Sequence, residues 1–329
     1  MPPKSRSAAL LLILVGELSW LSVRFDAASV GAHAGWTARL MNYAPLVPRV
    51  AIAIAVAWLI LAGPRLKRLG HDFLNACRRH TRWWQWLLCH LAAFGTLAFS
   101  SYMVFERPSP HVSTRDLQVA LWWILVITSL VSWLAAVAPA GFWWSVIQTE
   151  RRTLFAAAIV GMAACQAGQW AQALWGPLSD PTLALLEKIL GGVVDRVISL
   201  RAARVIGTQT FAVKISPQCS GYEGLGLICV LLGAFLTSFH RRLRFPQAWL
   251  LWPLGVLAIW LLNVARISAL VLLGIEYSPR LCVGGFHSQL GWLFFNVAAL
   301  GMMATALRLR FFARPDRLNP MSRPNDVAG

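Results

Sequence analysis

Long apolar runs separated by short polar segments repeat along the whole chain. A helix needs about 20 apolar residues to cross the hydrocarbon core of a bilayer. The pattern therefore predicts an all-α polytopic membrane protein with about eight transmembrane helices and no separate soluble domain. The predicted spans are residues 8–23, 44–63, 83–105, 118–138, 153–175, 217–239, 247–274 and 287–306.

Residues 176–216 depart from this pattern. A short helical stretch near TLALLEKIL is followed by Phe211, Val213 and Ile215, which alternate with Ala212, Lys214 and Ser216. Such alternation is typical of a strand with one apolar face, so we predict a small extracytoplasmic helix and hairpin on the membrane surface before the sixth helix. The predicted regions are a five-helix membrane region (1–175), this segment (176–216), a three-helix membrane region (217–306) and a basic, polar cytoplasmic tail (307–329).

Composition supports the membrane interpretation. The chain is 57% hydrophobic and 13% charged, whereas soluble domains average roughly 45–50% apolar and about 25% charged residues. The formal net charge of +17 would suggest a nucleic-acid partner in a soluble protein. Here the basic clusters lie between apolar runs, where they set topology, so we expect no nucleic-acid binding.

The basic clusters also predict the orientation of the chain. If the eight spans alternate, one side receives Lys4, Arg6, the basic loop 64–82, residues 150–152, 240–244 and 308–317. By the positive-inside rule this side is cytoplasmic and holds both termini. The first span also resembles a signal peptide, with GAHAG as a small-residue cleavage site. We favour an uncleaved anchor, and either interpretation leaves the downstream topology unchanged.

A few ionisable side chains fall within the predicted spans, where charge is costly and is a functional candidate by default. They are Glu17, His90, Glu223, Arg266 and, at a span entrance, His287. We interpret His90 as a hydrogen-bonded interior residue. Arg266 lies eight residues before Gly274, about 12 Å below the outer surface at the helical rise, and Asn263 shares its helix face.

Cys219, Arg266 and His287 enter the same outer half of the predicted bundle from three different helices. Pro217 suits the first helical position, which places Cys219 in a first turn where the helix dipole favours a thiolate. A cysteine and a histidine are the minimum for acyl transfer by a thiol, and a fixed guanidinium can stabilise an oxyanion. The alternative is that Cys219 packs as a small residue, Arg266 pairs with Glu223 or another acid, and His287 caps a helix.

Three motifs in the C-terminal half resemble the Cys, Arg and His motifs of the exosortase and archaeosortase family. They are PQCSGYEGLG around Cys219, NVARISALVLLG around Arg266 and GGFHSQLGWLFF around His287. The Tyr-Glu-Gly after Cys-Ser-Gly is most similar to the exosortase E branch. The resemblance covers about residues 180–306. It implies a multi-pass enzyme of the bacterial inner membrane whose active site faces the periplasm.

The resemblance also implies the reaction and its partners. Such an enzyme cleaves exported proteins at a C-terminal sorting signal, which consists of a short motif, a transmembrane helix and a basic cluster, and transfers the new C-terminus to an acceptor. Cys219 would form a thioester, His287 would be the general acid or base, and Arg266 would contact the oxyanion or a substrate carboxylate. Supporting or substrate-binding roles fall on Asn263, Ser220, Tyr222 and Glu223, the last either orienting His287 or pairing with Arg266. Membrane lipid is the remaining partner, and neither cofactor nor metal is expected.

One feature departs from the family pattern. Exosortase E proteins often continue into a second membrane protease domain, whereas residues 315–329 of this chain read PDRLNPMSRPNDVAG. This short polar tail does not encode such a domain: either this member of the family lacks it or the sequence is truncated, so a second proteolytic activity is not predicted.

Two other functions fit part of the pattern. A transporter or flippase for an anionic lipid-linked or sugar substrate would also use an intramembrane arginine, with Arg266 as the substrate-binding charge. A structural membrane protein would join Cys219 to Cys282 in an outer disulfide. The six cysteines form no CxxC pair, so the spacing supports neither a thioredoxin-like motif nor a zinc site.

Overall fold

The computed structural model describes residues 2–25, 36–44, 46–109, 111–172, 175–194, 196–215, 222–276 and 291–314. The chain is mostly helical, with one small antiparallel sheet. The helices are α1 (Pro3–Arg24), α2 (Trp36–Tyr43), α3 (Leu46–Leu61), α4 (Leu66–Arg79), α5 (Trp83–Phe105), α6 (Val112–Val137), α7 (Ala140–Gln172), α8 (Trp175–Gly191), α9 (Tyr222–Ser238), α10 (Leu251–Glu276) and α11 (Gly291–Arg308). The strands are β1 (Ile198–Leu200), β2 (Val205–Gly207) and β3 (Ala212–Lys214).

Several helices have the length and composition of membrane spans. Among the described residues four qualify, namely Trp83–Phe105, Val112–Val137, Ala140–Gln172 and Gln247–Glu276, and a fifth if α3 and α4 form one broken span. The apolar parts of α9 and α11, Glu223–Ser238 and Leu293–Arg308, are shorter. The predicted membrane architecture is therefore confirmed in its helical, apolar character, and four or five of the eight predicted spans have counterparts of sufficient length among the described residues.

Helix boundaries agree with the predicted spans to different extents. The third predicted span, 83–105, coincides with α5, but α7 begins at Ala140, well before the predicted start at residue 153. Ala138 is extended immediately before Pro139, as expected for a residue that precedes proline, and this separates α6 from α7. The predicted basic loop 64–82 is largely helical, because its apolar residues recur at helical spacing in α4.

The chain divides into two compact units. The first comprises residues 1–51, 64–156 and 270–291, and the second comprises residues 52–63, 157–269 and 292–329. The core of the second unit draws on α3, α9 and α11 among other segments, with Leu231, Phe235 and Phe295 among its buried side chains. Two smaller clusters occupy the first unit, one around Leu10 and Cys77 and the other around Met41.

A histidine–glutamate pair is buried in the first unit. His90 Nε2 lies 2.8 Å from Glu17 Oε2, and His90 Nδ1 lies 2.9 Å from the Ser129 carbonyl oxygen. Since a carbonyl only accepts, Nδ1 carries a proton. The pairing satisfies both ring nitrogens within the apolar bundle and confirms the interpretation of His90 as a hydrogen-bonded interior residue.

The segment between α8 and α9 contains the sheet. Three antiparallel strands lie in the order β1-β2-β3, with Ile206 opposite Ser199 on one side and Val213 on the other. The sequence predicted a two-stranded hairpin, and the structure has three strands. The alternation is confirmed, since Phe211 and Ile215 are buried while Ala212 and Lys214 are exposed.

Glu187 of α8 connects the helix to the start of the sheet. Its carboxylate accepts hydrogen bonds from Arg201 Nε (3.1 Å) and Arg201 Nη2 (2.6 Å) and from the Ser199 hydroxyl. The Arg201 guanidinium and then the Ser199 hydroxyl lower the pKa of this carboxyl from 4.5 to about 2. A lowered pKa means that the connection stabilises the fold above about pH 4.5 and loses this contribution as the pH falls through 2.

The Glu187→Gln variant tests this connection. At about pH 6 we expect its unfolding temperature to lie below that of the wild type, because an amide cannot replace the charged fork with Arg201. The two unfolding temperatures should converge as the pH falls below about 2, where the wild-type carboxylate is itself mostly protonated. Thermal unfolding in detergent at a series of pH values measures the difference, and a difference that is constant with pH would contradict the assignment.

Candidate functional site

The structure describes some of the predicted site residues. Glu223, Asn263 and Arg266 lie in α9 and α10, and Tyr222 is the first residue of α9. Cys219, Ser220, His287 and the alternative disulfide partner Cys282 lie outside the described residues. The described part of the candidate site therefore consists of residues of α9, α10 and α11.

Two glycines show how α9, α10 and α11 pack within the second unit. A Cβ atom at Gly255 of α10 would lie 2.8 Å from Leu232 Cδ1 in α9 and 3.1 Å from Met302 Cε in α11. A Cβ atom at Gly224 of α9 would lie 2.8 Å from Ile259 Cγ2 in α10 and 2.8 Å from Phe295 Cδ2 in α11. Gly255 of α10 thus lies beside later residues of α9 and α11, whereas Ile259, which follows it in α10, lies beside Gly224 near the start of α9. The residue order shows that α10 runs antiparallel to both helices.

Arg266 places a charge near this convergence of helix starts. Its guanidinium carbon lies 5.5 Å from the centroid of the Phe295 ring, within the range of a cation–π contact. Helical side chains point back toward the helix N-terminus, so the guanidinium reaches down from its own Cα to the level of Phe295. Because Phe295 lies against Gly224, the positive charge is close to the first turns of both α9 and α11.

Two buried asparagines add polar groups to the same helices. Asn263 of α10 is 0% exposed and Asn296 of α11 is 1% exposed. Asn263 lies one turn before Arg266, and Asn296 directly follows Phe295. Amides are rare in apolar helices and commonly join one helix to another. The sequence analysis singled out Asn263 but missed Asn296, for which the amide within the apolar run LFFNVAAL was the available signal.

Glu223 has a partner that the sequence analysis did not anticipate. Gln172, the last residue of α7, donates a hydrogen bond of 2.5 Å from its Nε2 to Glu223 Oε1. The hydrogen bond connects the end of α7 to the first turn of α9. The described contact shows that the Glu223 carboxylate joins the start of α9 to α7.

Close backbone packing brings α7 and α9 together. A Cβ atom at Gly226 would lie 2.3 Å from the Ala167 carbonyl oxygen, and one at Gly168 would lie 2.9 Å from the Glu223 carbonyl oxygen. Backbone contact of this kind requires glycine, as in other helix pairs of membrane proteins. Gly226 is therefore a close-packing position against α7, as Gly224 is against α10 and α11.

The described part of the site combines a cation, an aromatic ring and buried amides. The Phe295 ring lies against the Arg266 guanidinium, Asn263 lies one turn earlier on α10, and Asn296 lies on α11. In an apolar setting a guanidinium interacts with negative charge more strongly than it would in water. No group of three His, Cys, Asp or Glu side chains that could hold a metal ion occurs in the described ranges.

Comparison with known proteins yields no relative: no family model, no curated protein and no solved structure matches this chain.

Proposed function

We propose that this protein is an exosortase-like cysteine transpeptidase that cleaves C-terminal sorting signals of exported proteins through a thioester on Cys219. The observation that best supports the proposal is the contact of Arg266 with Phe295, whose ring lies against Gly224. This contact brings the intramembrane cation to the starts of α9 and α11. Those are the two helices that follow Cys219 and His287 in the chain.

Chain order relates the proposed partners to these helices. Cys219 precedes the first residue of α9 by three positions, and His287 precedes the first residue of α11 by four. The three motifs of the family resemblance are therefore close along the chain to the starts of α9 and α11 and to Arg266 in α10.

The proposed reaction has two acyl-transfer steps. His287 accepts the thiol proton of Cys219, and the thiolate attacks the carbonyl carbon of the scissile peptide bond. Arg266 stabilises the negative charge that develops on the carbonyl oxygen. The carbon–nitrogen bond then breaks, His287 returns the proton to the leaving amine, and a thioester remains. A nucleophile on the acceptor then gives its proton to His287 and attacks the thioester carbonyl, the carbon–sulfur bond breaks, and the Cys219 thiolate takes the proton back.

The proposed topology places this chemistry outside the cytoplasm. Eight spans with both termini in the cytoplasm put the starts of the sixth and eighth helices at the outer face of a bacterial inner membrane. The glycine-enabled contact of α7 with α9 and the hydrogen bond from Gln172 to Glu223 then fix the first turn of α9 at that face. A sorting signal with its own membrane helix would present its short motif at the same level.

Trapping the thioester tests the proposed function. We expect the wild-type protein, isolated from membranes of its native host under acidic denaturing conditions, to carry a peptide adduct on Cys219, because the acid stops turnover before the thioester is resolved. Intact mass spectrometry measures the added mass, and hydroxylamine should remove it. Cys219→Ala is the matched control, and His287→Ala should also lack the adduct, since His287 accepts the thiol proton in the acylation step. Absence of a hydroxylamine-labile adduct on Cys219 in the wild type would argue against the proposed function.

A further inference from the structure

The helix α4 has a strict division between apolar and charged sides. Leu66, Leu69, Phe73 and Cys77 recur at spacings of three and four residues and so share one side. Cys77 is 1% exposed, and the Phe73 ring lies 5.6 Å from that of Phe142 in the first unit. The apolar side of α4 is therefore packed into its unit.

Hydrogen bonds fix the C-terminal end of α4 against its neighbours. Arg6 of α1 donates to the carbonyl oxygens of Cys77 (3.0 Å) and His80 (3.4 Å), and Cys77 Sγ donates to the Val137 carbonyl oxygen of α6 (3.3 Å). The Arg6 guanidinium also lies 5.3 Å from the centroid of the Trp83 ring. Through these contacts the start of α1, the start of α5 and the end of α6 all lie beside the C-terminal end of α4. They fix which side of α4 faces its neighbours.

The opposite side of α4 carries most of the charge. At 100° per residue, Lys67, Arg68, Arg78 and Arg79 lie on the side away from Phe73, and all four are exposed, as is Arg82 just beyond the helix. Asp72 is the one acidic residue in the segment 64–82. The neighbouring Arg65 is already paired with Glu150 at 3.1 Å. α4 therefore has a strongly positive, exposed surface, and it lies beside the starts of α1 and α5 and the end of α6.

We propose that this charged side of α4 is a binding surface for anionic phospholipid headgroups in the leaflet beside which α1 and α5 begin. Clusters of four to eight Lys or Arg residues next to a membrane helix are attracted to anionic lipids, and an amphipathic helix that lies along the interface presents them at headgroup depth. In the proposed topology this leaflet is cytoplasmic. The surface belongs to the first unit, and its function does not depend on the proposed peptide chemistry.

The spacing of the charges indicates more than one headgroup. Lys67 and Arg68 occupy the first turn of α4, whereas Arg78 and Arg79 occupy the last. Eleven residues separate Lys67 from Arg78, or about 16 Å along a helix. That distance exceeds the reach of a single phosphate, so the two ends bind separate headgroups. Because the charges are exposed, binding should weaken as salt shortens the Debye length.

Lipid titration of the full-length protein in neutral detergent tests the proposal. The probes are dioleoylphosphatidylglycerol and zwitterionic dioleoylphosphatidylcholine, with the number of bound lipids measured by native mass spectrometry. We expect the wild type to prefer phosphatidylglycerol at least tenfold, and the preference to fall at least fivefold in a variant that combines Arg78→Gln, Arg79→Gln and Arg82→Gln. A control variant that combines Arg241→Gln, Arg308→Gln and Arg310→Gln removes equal charge from exposed positions of the second unit and should keep the preference.

A second variant separates lipid binding from helix stability. Arg78 and Arg79 also stabilise the C-terminal end of α4, whereas Lys67 and Arg68 lie at the N-terminal end, where cations are unfavourable to the helix dipole. Lys67→Gln combined with Arg68→Gln should therefore lower the lipid preference without lowering the unfolding temperature. Equal binding of the two lipids by the wild type would overturn the proposal. Equal loss in the control variant would also overturn it, since the effect would then reflect net charge alone.

Discussion

Replacement of Cys219 by alanine or serine should abolish processing of exported proteins that carry a C-terminal membrane helix and basic tail. Alanine has no nucleophile, and a serine hydroxyl is not ionised by the groups that favour a thiolate. Loss of a covalent nucleophile typically lowers turnover by several orders of magnitude, so we expect at least a 1000-fold decrease. The shift of the processed protein to its unprocessed mass, followed in intact cells, is the measurement.

Cys229 provides a matched control for this prediction. It lies in the same helix as the proposed site, α9, and its thiol is exposed and free. Cys229→Ser should leave processing unchanged, because the hydrogen bond from Trp252 goes to the Cys229 backbone carbonyl oxygen. Normal processing in both Cys219 variants would contradict the nucleophile assignment.

Two assays separate the alternative functions. A transporter would lose transport in Arg266→Ala while tolerating replacement of Cys219. A disulfide between Cys219 and Cys282 would protect Cys219 from a membrane-impermeant maleimide until a reductant is added. A free, outward-facing thiol that reacts without reductant is the result expected for the transpeptidase.

Replacement of Gly226 by alanine should markedly destabilise the second unit. The new Cβ atom would lie 2.3 Å from the Ala167 carbonyl oxygen and 2.5 Å from the Gly168 nitrogen, so α9 would have to move away from α7. Overpacking in cores typically costs about 1–3 kcal/mol, and we expect the upper end of that range because the obstructing atoms are backbone. The free energy of unfolding in mixed detergent micelles measures the effect.

Gly233 offers a control within the same helix. The nearest atom to a Cβ at Gly233 is Trp252 Cζ2 at 3.9 Å, an ordinary contact. Gly233→Ala should therefore stabilise α9 by roughly 0.5–1 kcal/mol, the usual advantage of alanine over glycine within a helix. If both variants lowered stability equally, the loss would not arise from the contact between α7 and α9.

Some features of the fold followed directly from local sequence pattern. The apolar run 83–105 coincides with α5, because a span without internal charge has one stable conformation in lipid. The alternation from Phe211 to Ile215 correctly predicted that these two residues, which flank β3, are buried while Ala212 and Lys214 are exposed. The segment 64–82 was wrongly interpreted as a loop, because its charged residues outnumber the apolar ones and its helical order depends on packing of Phe73 and Cys77 against neighbouring helices.

Some features of the candidate site were likewise identifiable from the sequence, and others were not. Arg266 and Asn263 were identifiable from the sequence because polar groups in an apolar run are costly wherever the run folds. The contact of Gln172 with Glu223 was not, since 51 positions separate the two residues and nothing in either local pattern specifies the pairing. The contact of Phe295 with the Arg266 guanidinium was likewise not identifiable, because the two residues lie on different helices.

By itself, the sequence determined which segments are apolar enough to be buried or to enter a membrane, where charge interrupts them, and which residues carry reactive groups. These properties depend on transfer free energies and helical periodicity, which are local. Tertiary structure alone decided that α9 and α11 run antiparallel to α10, that Phe295 joins Arg266 to Gly224, and that Gly226 allows α9 to touch α7. Those contacts depend on side-chain shape and close approach between distant segments, which no local pattern specifies.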